Sequence, residues 1–198
     1  MSRKVVKNTL YLTFAMICQK TLAFVYFIAL ARVMGPEQTG MYFLALSIVL
    51  IFSVFADVGL QPVLIREVAK DSKRIYDLLP TILVIKIPFL FLGVGLASLT
   101  GFLLGYNALT QQLIGLALIV MLLDSVSLTF YGALRGFQQL RSESIGMFVG
   151  QLFTVALGCL VLVFSPSLPL LVAALIAGSL FNALYSLWRV GKMIGWSA

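Results

Sequence analysis

Four ionisable side chains, Lys20, Asp57, Lys86 and Asp124, stand inside or near the ends of long apolar runs. A charge at the centre of a lipid bilayer costs on the order of 3 kcal/mol or more, so each such group needs a partner or a task. A buried amine attracts phosphate or carboxylate; a buried carboxylate accepts from sugar hydroxyls, holds a proton or meets a cation.

Lys20 lies about 12 residues, or roughly 18 Å, into its run, too deep for its stem to return the amine comfortably to an interface. Thr9, Thr13, Met16 and Lys20 share one helical face, with Gln19 beside it, which predicts a cation lining a polar interior. Asp124 is followed on its own face by Ser127, Tyr131 and Arg135. It is expected either to pair with Lys20 across two helices or to meet a substrate or proton. Asp57, near the end of its run, is expected to pair with Arg66 or Lys73. Lys86 stands about eight residues into the next run, where snorkelling to the interface and facing protein are equally open to it. Two uncharged stripes, one of Met147, Gln151, Thr154 and Gly158 and one of Ser179, Asn182, Ser186 and Arg189, predict interhelical hydrogen bonds. The candidates for a polar path are therefore Lys20, Asp124, Gln19, Gln151 and Asn182. Asp57, Arg66, Lys86 and Arg135 are the candidates for gate or structural ion pairs.

These residues need elements to hold them. Crossing a hydrocarbon core of about 30 Å takes roughly 20 mostly apolar residues. Such stretches fall near 8–33, 38–60, 78–100, 110–134, 143–164 and 169–190, leaving little chain over. The 198 residues are 61% hydrophobic and 11% charged, whereas a soluble domain carries about 25% charged residues. In lipid each backbone must satisfy itself, and the runs lack the alternation of barrel strands, so the expected class is all-α. The predicted architecture is a polytopic membrane bundle of six transmembrane helices, forming one unit over 1–198.

Of the 14 Lys and Arg, all but Lys20, Arg32 and Lys86 lie before the first span, after the sixth, or in the gaps between spans two and three and spans four and five. Positive charge stays on the cytoplasmic side, so both termini are expected there, in a multi-pass protein of the cell membrane. The net charge of +7 then reflects topology and contact with anionic membrane lipid; no soluble basic face exists for nucleic acid. The first span is too long for a signal peptide and is expected to remain as an anchor. Between spans two and three, residues 62–79 alternate apolar and charged faces at helical spacing, predicting an interfacial amphipathic helix opened by Pro62. Pro88 is expected to kink span three unless neighbours compensate. Gly132 with Gly136, and Gly146 with Gly150, are spaced for close helix approach.

The absences matter equally. The chain has no histidine and no phosphate-binding Gly-rich loop followed by Lys-Ser or Lys-Thr, which argues against His relays, His metal sites and an ATP motor. Carboxylates are not paired at hydrolase spacing, and Cys18 and Cys159 read as small apolar fillers. No enzyme and no cofactor is expected; an intramembrane Ser–Lys arrangement is the distant exception.

The runs from Gly35 to Tyr42, Ser53-Val54-Phe55-Ala56-Asp57-Val58-Gly59-Leu60 and Leu64-Ile65-Arg66-Glu67-Val68-Ala69-Lys70, with Arg135-Gly136-Phe137-Gln138, resemble the opening half of polysaccharide flippases. These repeat-unit exporters belong to the multidrug/oligosaccharidyl-lipid/polysaccharide transporter superfamily. Met34 and Thr39 depart from the Leu and aromatic expected there. The resemblance implies movement of a polyprenyl-pyrophosphate-linked oligosaccharide across the membrane by alternating access between two six-helix lobes. This chain corresponds to the N-terminal lobe, so a second lobe is implied as a partner. The ending Gly195-Trp196-Ser197-Ala198 favours a chain that continues, over a second copy or a separate protein. Lys20 would attract the phosphate; Asp124, Gln19, Gln151 and Asn182 would serve sugar hydroxyls or a coupling ion. The alternatives are a multidrug or small-cation exporter of the same superfamily, which Asp124 suits, and a non-transporting scaffold of a glycan-synthesis complex.

Overall fold

Gly35 decides how the chain begins. The computed structural model describes residues 3–57 and 59–195, with side chains from Leu10 onward. The side chains of Arg3, Lys4, Lys7 and Thr9, the residue Val58 and the closing Trp196, Ser197 and Ala198 lie outside that description. The first element, α1 (Arg3–Asp57), carries Gly35 at φ 77° and ψ 173°, a conformation open to glycine alone. Pro36 follows in the first turn of the second arm, where its missing N–H does no harm. Sixteen residues of straight helix would separate Phe27 from Phe43 by about 24 Å. Their ring centroids are 5.3 Å apart, so the arms fold back on each other. The expected spans 8–33 and 38–60 thus belong to one element bent at Gly35.

The remaining elements are α2 (Leu60–Lys70), a 3₁₀ turn (Ser72–Arg74), α3 (Ile75–Leu103), α4 (Ala108–Gly136), α5 (Leu140–Phe164) and α6 (Leu168–Met193). The described residues form no strand. Five helices are long and apolar enough to cross a membrane, and α1, divided at Gly35, has the length for two crossings. Large apolar side chains such as Phe14, Phe24, Val54, Phe91 and Phe102 point outward, as a protein dissolved in hydrocarbon requires.

The segment 62–79 corrects its expectation, because it is not one helix. Asp71 is extended, and its carboxylate accepts the Lys73 backbone N–H at 3.0 Å. This cap ends α2 and opens the 3₁₀ turn, the usual competition of a short acidic side chain with helix continuation. The surface carboxylate of Glu67 gathers Lys70, Arg74 and Arg66. The Lys70 hydrogen bond first, then the charges of Lys70, Arg74 and Arg66, hold Glu67 below its ordinary value. α3 remains helical through Pro80 and Pro88.

Two apolar cores lie at opposite ends of the bundle. At the charge-poor end, Tyr26, Leu30, Tyr42, Ala45, Leu113 and Leu171 pack together; at the charged end, Leu64, Val68, Ile75, Leu79, Leu134 and Val190 do. On α4, Met121 belongs to the first and Phe130 to the second, and the turns between them carry Asp124, Ser125, Ser127 and Thr129. A polar layer is therefore held between two apolar ones.

Small residues bring the helices close. Gly132 and Gly136 face α2, where a Cβ on Gly136 would stand 2.8 Å from Val68 Cβ. Gly146 and Gly150 instead face Tyr131, Tyr185 and Asn182, so the two pairs serve different interfaces. A Cβ on Gly178 would meet Thr154 Oγ1 and lie 2.9 Å from the Gly150 carbonyl oxygen, which cannot move aside. Gly178→Val should therefore cost about 2 kcal/mol and lower the unfolding midpoint in detergent by roughly 5 °C. Gly115→Ala, which meets nothing within 4 Å, should leave it unchanged or slightly raised. A depressed carboxyl contributes above its ordinary titration range and loses that contribution as pH falls through its lowered value. Protection of the α2 amides, taken relative to their intrinsic exchange rate at each pH, should accordingly hold down to the ordinary Glu range and fall only below it, and Glu67→Gln should abolish that acid step.

Candidate functional site

Lys86 shows how the bundle treats a charge. Its side chain, 3% exposed, sits on α3 and directs its amine at oxygens from two other helices. It donates to Asp57 Oδ1 at 2.8 Å, Thr129 Oγ1 at 2.9 Å, Ser125 Oγ at 3.2 Å and the Ser125 carbonyl at 3.3 Å. Four acceptors for three protons remove any reason to snorkel. The expected pairing of Asp57 with Arg66 or Lys73 is corrected as well. Gly59, at φ 67°, turns the chain into α2, and Arg66 points outward toward Glu67 at 3.8 Å. Lys73 lies in the 3₁₀ turn. Asp57 and Lys86 thus fasten α1, α3 and α4.

Beside this pair runs an open-sided cleft with two chambers that share Asp124 and Leu128. The first, about 310 Å³, lies between the second arm of α1 and α4; it is mainly apolar, with Ser53, Asp57 and Ser125 as its other polar residues. The second, about 200 Å³, lies toward the charged end and is lined by Gln19, Ser127, Tyr131, Arg135, Glu143 and Asn182 among others. Four helices build it: α4 supplies Asp124, Ser127, Tyr131 and Arg135 at steps of three and four, while α1, α5 and α6 supply Gln19, Glu143 and Asn182.

Inside the second chamber the polar groups are mutually arranged. Tyr131 donates its hydroxyl to Asn182 Oδ1 at 2.8 Å, across from α4 to α6. Arg135 grips Glu143 in a fork, Nε at 3.0 and 2.9 Å from the two carboxylate oxygens and Nη2 at 2.5 Å from Oε1. Glu143 is 1% exposed, so its charge is cancelled by Arg135 in place. Asp124 differs. Its neighbour is the Ser179 hydroxyl of α6, and no cation of the described residues pairs with it. Helices crowd around its carboxyl, yet the open side of the cleft reaches it. The arrangement offers a carboxyl group, amide groups and hydroxyls to a polar visitor.

Gln19, Asp124, Asn182 and Arg135 are therefore brought together, while Lys20 and Gln151 are not. Lys20 is exposed on the outer side of α1, makes no ion pair with any described residue and lines neither chamber. Within this six-helix unit Lys20 is therefore not the interior cation expected from the sequence, and it does not pair with Asp124. Successive helical residues turn by about 100°, so a chamber that takes Gln19 leaves Lys20 on the flank. Gln151 lies half-buried on α5 outside both chambers. Glu143 was missed; the signal was its place in the first turn of α5, just beyond a short connection from Arg135. Among the described residues no three His, Cys, Asp or Glu side chains gather for a metal ion.

Removing either partner of the Asp57–Lys86 pair strands the other unequally, because Asp57 is 38% exposed to the cleft and Lys86 is not. Asp57→Leu should cost about 3 kcal/mol and Lys86→Met clearly less, with the double variant less harmed than the sum of both. Chemical unfolding in detergent measures all three.

A family model described as polysaccharide biosynthesis protein matches residues 5–196. No curated protein and no solved structure matches the chain.

Proposed function

Because the chain belongs to this family of polysaccharide biosynthesis proteins, we propose that it is a flippase that carries a polyprenyl-pyrophosphate-linked oligosaccharide across the cell membrane, from the cytoplasmic to the outer leaflet. The observation that carries this reading is the cleft at mid-helix depth, where Gln19, Asp124, Tyr131 and Asn182 present hydrogen-bonding groups to an open side. A sugar head group crossing hydrocarbon needs such partners in place of water, whereas its polyprenyl tail stays in lipid. Asp124 is the strongest acceptor for its hydroxyls. The charged end, with α2 and the C-terminal turn of α6, faces the cytoplasm under the positive-inside rule.

Lys20 supports a second six-helix lobe. Its neighbours Met16, Ile17 and Phe24 are exposed, so its amine would meet acyl chains at a cost on the order of 3 kcal/mol if nothing covered that face. A second lobe laid over the flank removes that cost and turns Lys20 toward the passage between lobes, where it meets the pyrophosphate. An unpaired carboxylate also suits a small-cation exporter, and the experiment separates the two.

In proteoliposomes holding the full assembly, a fluorescent polyprenyl-pyrophosphate sugar should change leaflets. Asp124→Asn should slow it about tenfold, equivalent to about 1.4 kcal/mol in the barrier, and Lys20→Ala should raise the substrate concentration needed. Accumulation of a lipophilic cation with no sugar movement would reject the flippase. Movement of neither would leave a scaffold.

A further inference from the structure

A second feature lies outside the cleft. Phe153 of α5 stacks on Phe181 of α6 with centroids 5.0 Å apart, Phe181 on Tyr185 at 5.9 Å, and Tyr185 leans on Trp188 at 6.2 Å. Arg189 and Lys192 each stand 5.8 Å from the Trp188 ring centroid. The ladder begins near the middle of α5 and α6 and ends at the charged end. Aromatic residues that merely anchor a helix collect at the interface; these rings descend through the hydrocarbon depth to two cations.

Neither Arg189 nor Lys192 has a carboxylate within ion-pair distance among the described residues. Arg189 donates one Nη2 bond to Ser142 at 2.6 Å, while its buried Nε finds no acceptor. The ladder also borders the second chamber, since Tyr131 and Tyr185 both lie over Gly146.

We propose that the ladder seats the isoprenoid chain of a polyprenyl pyrophosphate lipid at the charged end, with the pyrophosphate held by Arg189 and Lys192 beside Trp188 before it passes to Lys20. The occupant follows from charge and shape. Two cations at one ring, neither with a carboxylate partner among the described residues, match two linked phosphates, whereas a phosphodiester lipid brings a single charge. Flat ring faces in file suit a methyl-branched, unsaturated chain. The adjoining chamber lies within reach of a sugar attached to that pyrophosphate. The assignment rests on the transport reading for the identity of its lipid, but binding is measured apart from transport.

The 198 residues hold two tryptophans, so Trp196→Phe removes one, and the emission lost in Trp188→Phe identifies the signal of Trp188. In nanodiscs, a long-chain polyprenyl pyrophosphate should change Trp188 emission saturably, and the matching polyprenol and phosphatidylglycerol should not compete. Lys192→Gln, at an exposed position, should weaken binding about fivefold or more, and Lys192→Arg should keep it. Phe181→Leu should weaken it without abolishing the requirement for phosphate. Equal responses to phosphatidylglycerol, or indifference to Lys192→Gln, would overturn the site. A protein that carries the lipid-linked sugar while Trp188 stays silent overturns the ladder and leaves the transport reading standing. A Trp188 that responds as expected in a protein that moves nothing supports the ladder and removes the transport reading.

Discussion

Hydrocarbon offers no hydrogen bonds, so every polar group within the bundle must be answered by the protein, and the arrangement of helices records how. Lys86 is the clearest instance: its amine draws the end of α1 and the middle of α4 to α3 through four oxygens. Arg135 and Glu143 do the same across the turn from α4 to α5. Once these charges are answered, the apolar cores at either end can close without enclosing a bare ion. What stays open lies between them.

That opening gives Asp124 its importance. The bundle spends cations on Asp57, Glu67 and Glu143 and, among the described residues, leaves the carboxyl in the middle of α4 with a hydroxyl and no cation. A group that served only to fasten helices would be met by a counter-charge, as Asp57 is. Tyr131, Asn182 and Gln19 line the same space, giving donors and acceptors beside its apolar lining of Leu128 and Met147. Glycines at 146 and 150 make that grouping possible by letting Tyr131 and Asn182 lie directly against α5.

The sequence made some of this legible. Gly35-Pro36 marked the reversal in α1, and the steps from Asp124 to Arg135 marked one face of α4, because both depend on local geometry that the chain carries in its spacing. Partner choice was not legible. Asp57 has Arg66, Lys73 and Lys86 within plausible reach, and only the left-handed turn at Gly59 swings the first two away. Lys20 illustrates a related limit. In a soluble helix the polar stripe faces water; in a membrane an apolar outside makes inward and flanking stripes look alike, and a single residue of rotation separates Gln19 from Lys20.

Passage of a sugar through this bundle requires water and solutes to reach the mid-helix cleft, and cysteine labelling measures that access. With Cys18 and Cys159 replaced by Ser, Asn182→Cys should react with a membrane-impermeant maleimide in oriented vesicles. Leu184→Cys, on the exposed apolar side of the same helix, should not. Equal protection of both cysteines would contradict a wet passage through the bundle.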